Sequence, residues 1–143
     1  MKKTLVALMF AAIATSLVAA DGPYLPTDTE RANWTMSDMR SWRICFDAYA
    51  KDHEKYPEVK SAEEARALFE PIYIAHLPMT DAWGRRYAVE SDAKGYKVVS
   101  SGADGKFDRT SWSTGGELKS LDDDAVATQD GRWLFRHWTL ASK

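Results

Sequence analysis

The sequence has only one cysteine, Cys45, among its 143 residues. A single thiol excludes an intramolecular disulfide and any zinc site built from several cysteines. A basic excess is also missing, because 19 Lys and Arg stand against 21 Asp and Glu, for a formal net charge of −2. This balance argues against a general nucleic-acid-binding protein, which needs positive charge to neutralise phosphates. No P-loop or G-x-S-x-G elbow occurs, and the three histidines (His53, His76 and His137) lack zinc-ligand spacing.

Long hydrophobic runs are absent except at the beginning of the chain. Lys2 and Lys3 precede an apolar run over residues 4–14, and residues 15–20 end in small side chains. This pattern is typical of a signal peptide cleaved before Asp21. The apolar run is shorter than the ~20 residues that a membrane-spanning helix needs. We therefore expect residues 1–20 to be removed, leaving a periplasmic or secreted protein without a membrane span.

The chain from Asp21 onward is predicted to hold a short arm and one domain. Residues 21–33 contain two prolines and little apolar content, which predicts an N-terminal arm, and residues 34–143 form the domain. Thr35 with Asp38 three residues later predicts a helix N-cap. A stripe at helical spacing follows, which ends near Pro57; its members are Met39, Trp42, Cys45, Phe46, Tyr49 and Ala50.

Shorter elements are predicted after this helix. Ser61 begins a second helix that stops before Pro71. Residues 86–90 and 96–100 predict two strands joined by a hairpin turn, and the WLFRHW run at 133–138 predicts a final strand. The fold class is therefore α+β, with a long helix and a short helix on a three- or four-stranded antiparallel sheet.

The segment between the second and last predicted strands is long and acidic. Residues 101–131 exceed the usual loop length several-fold, so they need an ordering element or carry a function. Gly102 and Gly105 allow sharp turns that expose carbonyl groups, and Asp104 and Asp108 offer hard oxygen ligands of the kind that calcium takes, with a more distant acid available in the run Asp122-Asp123-Asp124. The alternative is a solvated turn in which the aspartates serve turn chemistry alone.

Six tryptophans are many for a chain of this size. Large aromatic side chains supply burial in a small domain, so Trp42, Trp83 and Trp133 are predicted to lie in the core. Trp112 falls in the polar loop and is expected to be exposed. With the loop's acids it suggests an alternative function, a small secreted hydrolase or carbohydrate-binding protein, although no carboxylate spacing marks an acid/base pair.

Three segments together resemble the major pseudopilins of type II secretion systems. Residues 49–57 (YAKDHEKYP) resemble the family's Y-x-x-D-x-G-x-Y-P segment at the end of the long helix. Residues 81–87 (DAWGRRY) resemble its D-P-W-G-x-x-Y signature, and residues 96–105 (YKVVSSGADG) resemble its strand followed by S-x-G-x-D-G. The resemblance spans roughly residues 37–135.

This resemblance implies a helix followed by a small antiparallel sheet, with calcium ordering the loop after the second strand. Asp104 matches the family's aspartate, Asp124 before Ala125 and Val126 is the closest match to a later acid, and Asp108 is added on its chemistry. In place of the family's hydrophobic filament helix the chain has a signal-like segment. We therefore expect a freestanding exported module, non-catalytic, that binds a protein partner or belongs to a secretion or filament system.

Overall fold

The computed structural model describes residues 24–108 and 120–130. Two helices, α1 (Asp28–His53) and α2 (Ala62–Phe69), precede three strands, β1 (Ala88–Asp92), β2 (Gly95–Ser100) and β3 (Ala125–Thr128). The strands form one antiparallel sheet in the order β1-β2-β3. The predicted α+β class is therefore confirmed. The predicted last strand, 133–138, lies outside the described residues.

Helix α1 begins at Asp28, and its N-cap, Thr27, lies eight residues before the predicted N-cap at Thr35. Thr27 is the N-cap: its Oγ1 accepts a hydrogen bond from the Glu30 backbone N–H at 3.3 Å, and the Glu30 carboxylate accepts the Thr27 N–H at 2.8 Å. This reciprocal pair satisfies donors that a helix start leaves open. The predicted N-cap at Thr35 was therefore wrong, and residues 28–33 of the predicted arm are helical.

The ends of the other elements agree more closely with the sequence. Helix α1 stops at His53, and Glu54 follows in the left-handed conformation, three residues before Pro57. Ser61 caps α2 through the Glu64 backbone N–H, as predicted. The hairpin between β1 and β2 is tighter than predicted, since Asp92 pairs with Gly95 across a two-residue turn.

The core lies between α1 and one face of the sheet. The predicted stripe of α1 supplies Met39, Trp42, Cys45 and Phe46, all fully buried. The ring of Phe46 stacks on that of Tyr96 from β2 at a centroid distance of 4.3 Å and meets Phe69 of α2 edge-on at 4.9 Å. None of the helices in the described residues is long and apolar enough to cross a membrane.

Candidate metal centre

The three predicted metal ligands lie on the two limbs of the segment that joins β2 to β3. Asp104 is exposed in the turn after β2, where its Oδ1 accepts a hydrogen bond from the Lys106 N–H at 2.8 Å. Asp108 is also exposed, whereas Asp124 is only 2% exposed and immediately precedes β3. One of the three predicted carboxylates is therefore buried.

A hydrogen bond joins two of these residues across the segment. The backbone N–H of Asp108 donates to Oδ2 of Asp124 at 2.7 Å. A buried carboxylate needs such donors, because desolvation of the charge is otherwise costly. The hydrogen bond that Asp104 accepts, from Lys106, stays within its own turn. The structure thus brings Asp108 and Asp124 together and does not link Asp104 directly to them.

Gly102 is the point where the two limbs come closest. Its φ of +62° is in the left-handed region, and a Cβ added there would lie 2.7 Å from the carbonyl oxygens of Leu121 and Asp123 and 2.9 Å from that of Asp122. The Ala103 N–H donates to the Leu121 carbonyl at 2.8 Å beside them. Only glycine fits this position, and three successive carbonyl oxygens crowd around it.

A buried aspartate supports the base of the loop. Asp81 follows an isolated bridge between Thr80 and Arg86, and its Oδ1 accepts the backbone N–H groups of Trp83 (3.0 Å) and Arg85 (2.9 Å). Its Oδ2 accepts the hydroxyl of Ser100 at 2.7 Å, and that hydroxyl in turn accepts the Gly102 N–H at 3.3 Å. Two of the segments that carry the family resemblance, DAWGRRY and YKVVSSGADG, are therefore in direct contact.

This turn is also fixed to helix α1. Thr35 is buried, and its Oγ1 accepts the Ala82 N–H at 3.0 Å. Arg31 donates to the Ala82 carbonyl at 2.8 Å, and the half-buried Trp83 donates its indole N–H to Oδ1 of Asp28 at 2.9 Å. Three hydrogen bonds therefore join the base of the loop after β2 to helix α1.

The candidate metal ligands of this region are all oxygen atoms, which suits a hard cation such as calcium. Side chains alone do not complete a site, since no group of three His, Cys, Asp or Glu residues suited to a metal occurs among residues 24–108 and 120–130. A calcium ion here would need main-chain carbonyls beside the aspartates. The carbonyls of residues 121–123, which crowd around Gly102, are oxygen ligands of the type that calcium accepts.

The remaining candidates from the sequence have structural roles where they are described. Cys45 is buried, as predicted, and burial raises the pKa of its thiol to about 11, so the reactive thiolate is disfavoured. Trp42 is a core residue, as predicted, and donates its indole N–H to the Pro78 carbonyl at 2.8 Å. His53 and His76 are exposed. His137, Trp112 and Trp133 lie outside the described residues.

Sequence reasoning missed the residues that hold the loop in place. Asp81, Arg85 and Ser100 were noted only as parts of a motif, and the contacts of Arg85 with the turn and of Asp81 with Ser100 join residues 17 to 19 positions apart. The available signal was an aspartate followed by a Trp-Gly turn, an arrangement in which a side-chain oxygen accepts nearby backbone N–H groups. The chain matches no family model, no curated protein and no solved structure.

Proposed function

We propose that the protein is a non-catalytic, exported structural or protein-binding module, pseudopilin-like in its fold, with calcium ordering the loop between β2 and β3. The observation that carries the proposal is the oxygen-rich junction at Gly102. There the carbonyls of residues 121–123 crowd one position, and Asp124, the next residue of the same limb, has a buried carboxylate. Negative ends of dipoles and a carboxylate in one place favour a cation.

The residues that would hold the ion are Asp104, Asp108 and Asp124, with carbonyls of the 121–123 limb. Calcium takes six to eight oxygens in flexible geometry, and main-chain carbonyls are ordinary members of its ligand sets. When bound, the ion would supply positive charge that offsets the mutual repulsion of these oxygens. The loop would then join β2 to β3 in one fixed conformation.

The use of the buried polar groups supports a scaffold rather than an enzyme. Asp81, Ser100 and Thr35 are buried. The side chain of each makes hydrogen bonds to backbone groups or to another member of this set. Catalytic acids and nucleophiles instead keep a group available to a substrate. A protein partner would be met by exposed apolar side chains; Trp34 and Ile44 on α1 are 48% and 64% exposed, and Ile72 is 74% exposed.

Thermal unfolding in excess calcium and in EDTA tests the metal. A ligand that binds only the folded state stabilises it by about 2.7 kcal/mol at a hundredfold excess over its Kd, so the melting temperature should rise in calcium. Asp124→Asn and Asp104→Asn should each reduce this increment sharply. Both amides keep an oxygen for the Asp108 and Lys106 N–H groups, so the loss reports the missing charge.

The matched control is Asp122→Asn, which removes the same charge from an exposed side chain of the same loop. Each increment is measured against the variant's own melting temperature in EDTA, which separates lost calcium binding from lost stability. Melting curves of the wild-type protein that coincide in calcium and in EDTA would remove calcium from the proposal.

A further inference from the structure

The turn after β2 already holds a cation of the chain's own. Arg85 donates from Nη1 to the Gly102 carbonyl at 2.8 Å and from Nη2 to the Ala103 carbonyl at 3.0 Å. The two arms of one guanidinium thus bind two successive carbonyls. Within the described ranges Arg85 makes no ion pair with a carboxylate, so its charge is directed at these carbonyl dipoles.

The turn is shaped around this guanidinium. Gly105 has a φ of +72°, and a Cβ added to it would lie 2.4 Å from Nε and 2.8 Å from Cζ of Arg85. The Arg85 side chain therefore lies between the two parts of the turn that flank Asp104. It hydrogen-bonds to Gly102 and Ala103 before Asp104 and contacts Gly105, which has no Cβ, after it. A side chain at position 105 would displace it.

The arginine is also held at its own backbone. The Arg85 N–H donates to Oδ1 of Asp81 at 2.9 Å, and the Asp81 N–H donates to the Arg85 carbonyl at 2.7 Å. Because Asp81 also accepts the Ser100 hydroxyl, both the origin of the side chain and the end of β2 are fixed by one buried carboxylate. The guanidinium is thus pre-positioned, and little conformational freedom is lost when it binds the turn.

We propose that Arg85 is the resident cation of the 102–105 turn, taking the Gly102 and Ala103 carbonyls that a metal ion would otherwise use. The turn is then ordered without metal, and calcium is confined to the oxygens of Asp104, Asp108 and the 121–124 limb. The placement of calcium rests on the proposed function, whereas the role of Arg85 does not. Charge-assisted bonds from a forked guanidinium are among the stronger hydrogen bonds in proteins, which suits this role.

Amide hydrogen exchange of Ala103, followed by NMR in EDTA, tests the inference. The Ala103 N–H is bonded to the Leu121 carbonyl, so its protection reports whether the turn stays closed on the other limb. Arg85→Gln should reduce that protection about tenfold or more, the scale of a lost charged hydrogen bond, while the Val98 amide in β2 stays protected. Arg85→Lys should fall in between, since an ammonium lacks the planar fork.

The matched controls are Arg86→Gln and Arg86→Lys. Arg86 is the next residue, has the same charge, and pairs with Glu63 at the surface, so its loss should leave the Ala103 amide unchanged. If Arg85→Gln does not fold, the Arg85→Lys and Arg86→Lys pair gives the same comparison. Equal protection in the two pairs, or protection of wild-type Ala103 only when calcium is added, would overturn the inference.

Repeating the exchange in calcium separates this inference from the proposed function. Absence of any calcium effect on melting would remove the metal but leave the Arg85 result readable in EDTA. If the Arg85 inference and the calcium proposal both hold, the rise in melting temperature with calcium persists in Arg85→Gln, because calcium does not bind the carbonyl oxygens of Gly102 and Ala103. A calcium increment lost in Arg85→Gln but kept in Arg86→Gln would contradict the inference that Arg85 and calcium bind different oxygens of the loop.

Discussion

The two ends of strand β2 are held by different forces. At its first half Tyr96 lies against Phe46 with the ring planes 4° apart, and Phe46 also meets Phe69, so burial and dispersion dominate. At its last residue Ser100 donates to Asp81, and Gly102 and Ala103 beyond it bind Arg85. The ring end depends mainly on packing, although the Tyr96 N–H also donates to Oε1 of Gln129 at 3.2 Å, whereas the polar end depends mainly on directed hydrogen bonds.

This difference explains where a function can reside. Packed rings give stability, but Phe46 and Phe69 offer a ligand neither oxygen nor charge, and the Tyr96 hydroxyl is buried. Burial even raises the pKa of the Tyr96 hydroxyl, which keeps it neutral. The polar end concentrates carbonyl oxygens, a buried carboxylate and a guanidinium around two glycines. The proposed binding role is therefore placed at the polar end, and the ring end contributes stability.

Removal of a central ring should have the largest effect on the fold. Phe46→Ala deletes the side chain that contacts Tyr96 and Phe69, and a buried Phe→Ala change costs about 3–5 kcal/mol through lost burial and a residual cavity. Denaturant unfolding followed by circular dichroism measures the free energy of unfolding. Ile44→Ala, two residues earlier on the exposed face of α1, should stay within about 0.5 kcal/mol of wild type.

Equal costs for these two substitutions would mean that the ring end does not hold the fold. The comparison of the two ends would then fail, because stability would have to come from the hydrogen bonds at Ser100 and Gly102. A loss confined to Phe46→Ala supports the division between packing at one end and directed bonds at the other.

At the polar end, a substitution should destabilise the fold through steric conflict and not through a cavity. Gly102→Ala places a Cβ within 2.7 to 2.9 Å of three main-chain carbonyl oxygens and forces a side chain into the left-handed region. We expect a loss of about 2–4 kcal/mol from strain and overpacking combined. Gly84→Ala is the control, since Gly84 also has a positive φ, +81°, but open space around its Cα; it should lose only about 1 kcal/mol.

The difference between the two glycine variants isolates the crowding of the carbonyls from backbone strain. Chemical denaturation gives both values under the same conditions. If Gly102→Ala were no more costly than Gly84→Ala, the limbs of the loop would not be in close contact at Gly102. The oxygen-rich junction on which the calcium proposal depends would then be absent.

The packing of α1 on the ring end was largely predictable from the sequence, but the start of α1, which contacts the 81–87 turn, was not. The spacing of Met39, Trp42, Cys45 and Phe46 identifies the buried face of α1, because a one-sided helix repeats its apolar positions every three to four residues. Residues 28–31 are polar and exposed or only half-buried, so this periodicity cannot detect them. Their helix depends on the Thr27–Glu30 cap, which the sequence carried but the prediction placed at Thr35.

The polar end was much less predictable. Strand β3 was missed because it is short and contains two alanines, which favour strands weakly; its pairing with β2 decides its conformation. The contacts of Arg85 with residues 17 and 18 positions away follow from how the 81–87 turn rests on α1. No local period or spacing encodes such a contact. The aspartates of the loop were visible in the sequence, but not which of them is buried.

The smallest effect concerns Asp38, a half-buried acid on α1 near Tyr87. Burial raises the pKa of its carboxyl above the ordinary value of 3.8. Well below that pH the Asp38 carboxyl is protonated in both the folded and the unfolded protein, so its burial carries no charge and does not lower the free energy of unfolding. As the pH rises, the unfolded chain ionises first, so stability falls until the pH passes the raised folded pKa and is constant thereafter. Asp38→Asn should therefore be more stable than wild type at neutral pH, by up to ~0.5 kcal/mol.

The measurement is the melting temperature of both proteins between pH 3 and pH 7. The advantage of Asp38→Asn should be absent at the acid end, grow through the window above 3.8 and then level off. Glu58→Gln removes a charge from an exposed side chain and should show no such window. A variant advantage that is largest at acid pH would have the opposite sign and would mean that the Asp38 carboxylate stabilises the fold. A hydrogen-bond donor would then have to lie beside the Asp38 carboxylate on α1. The difference between a ring end held by packing and a polar end held by hydrogen bonds would be smaller than described.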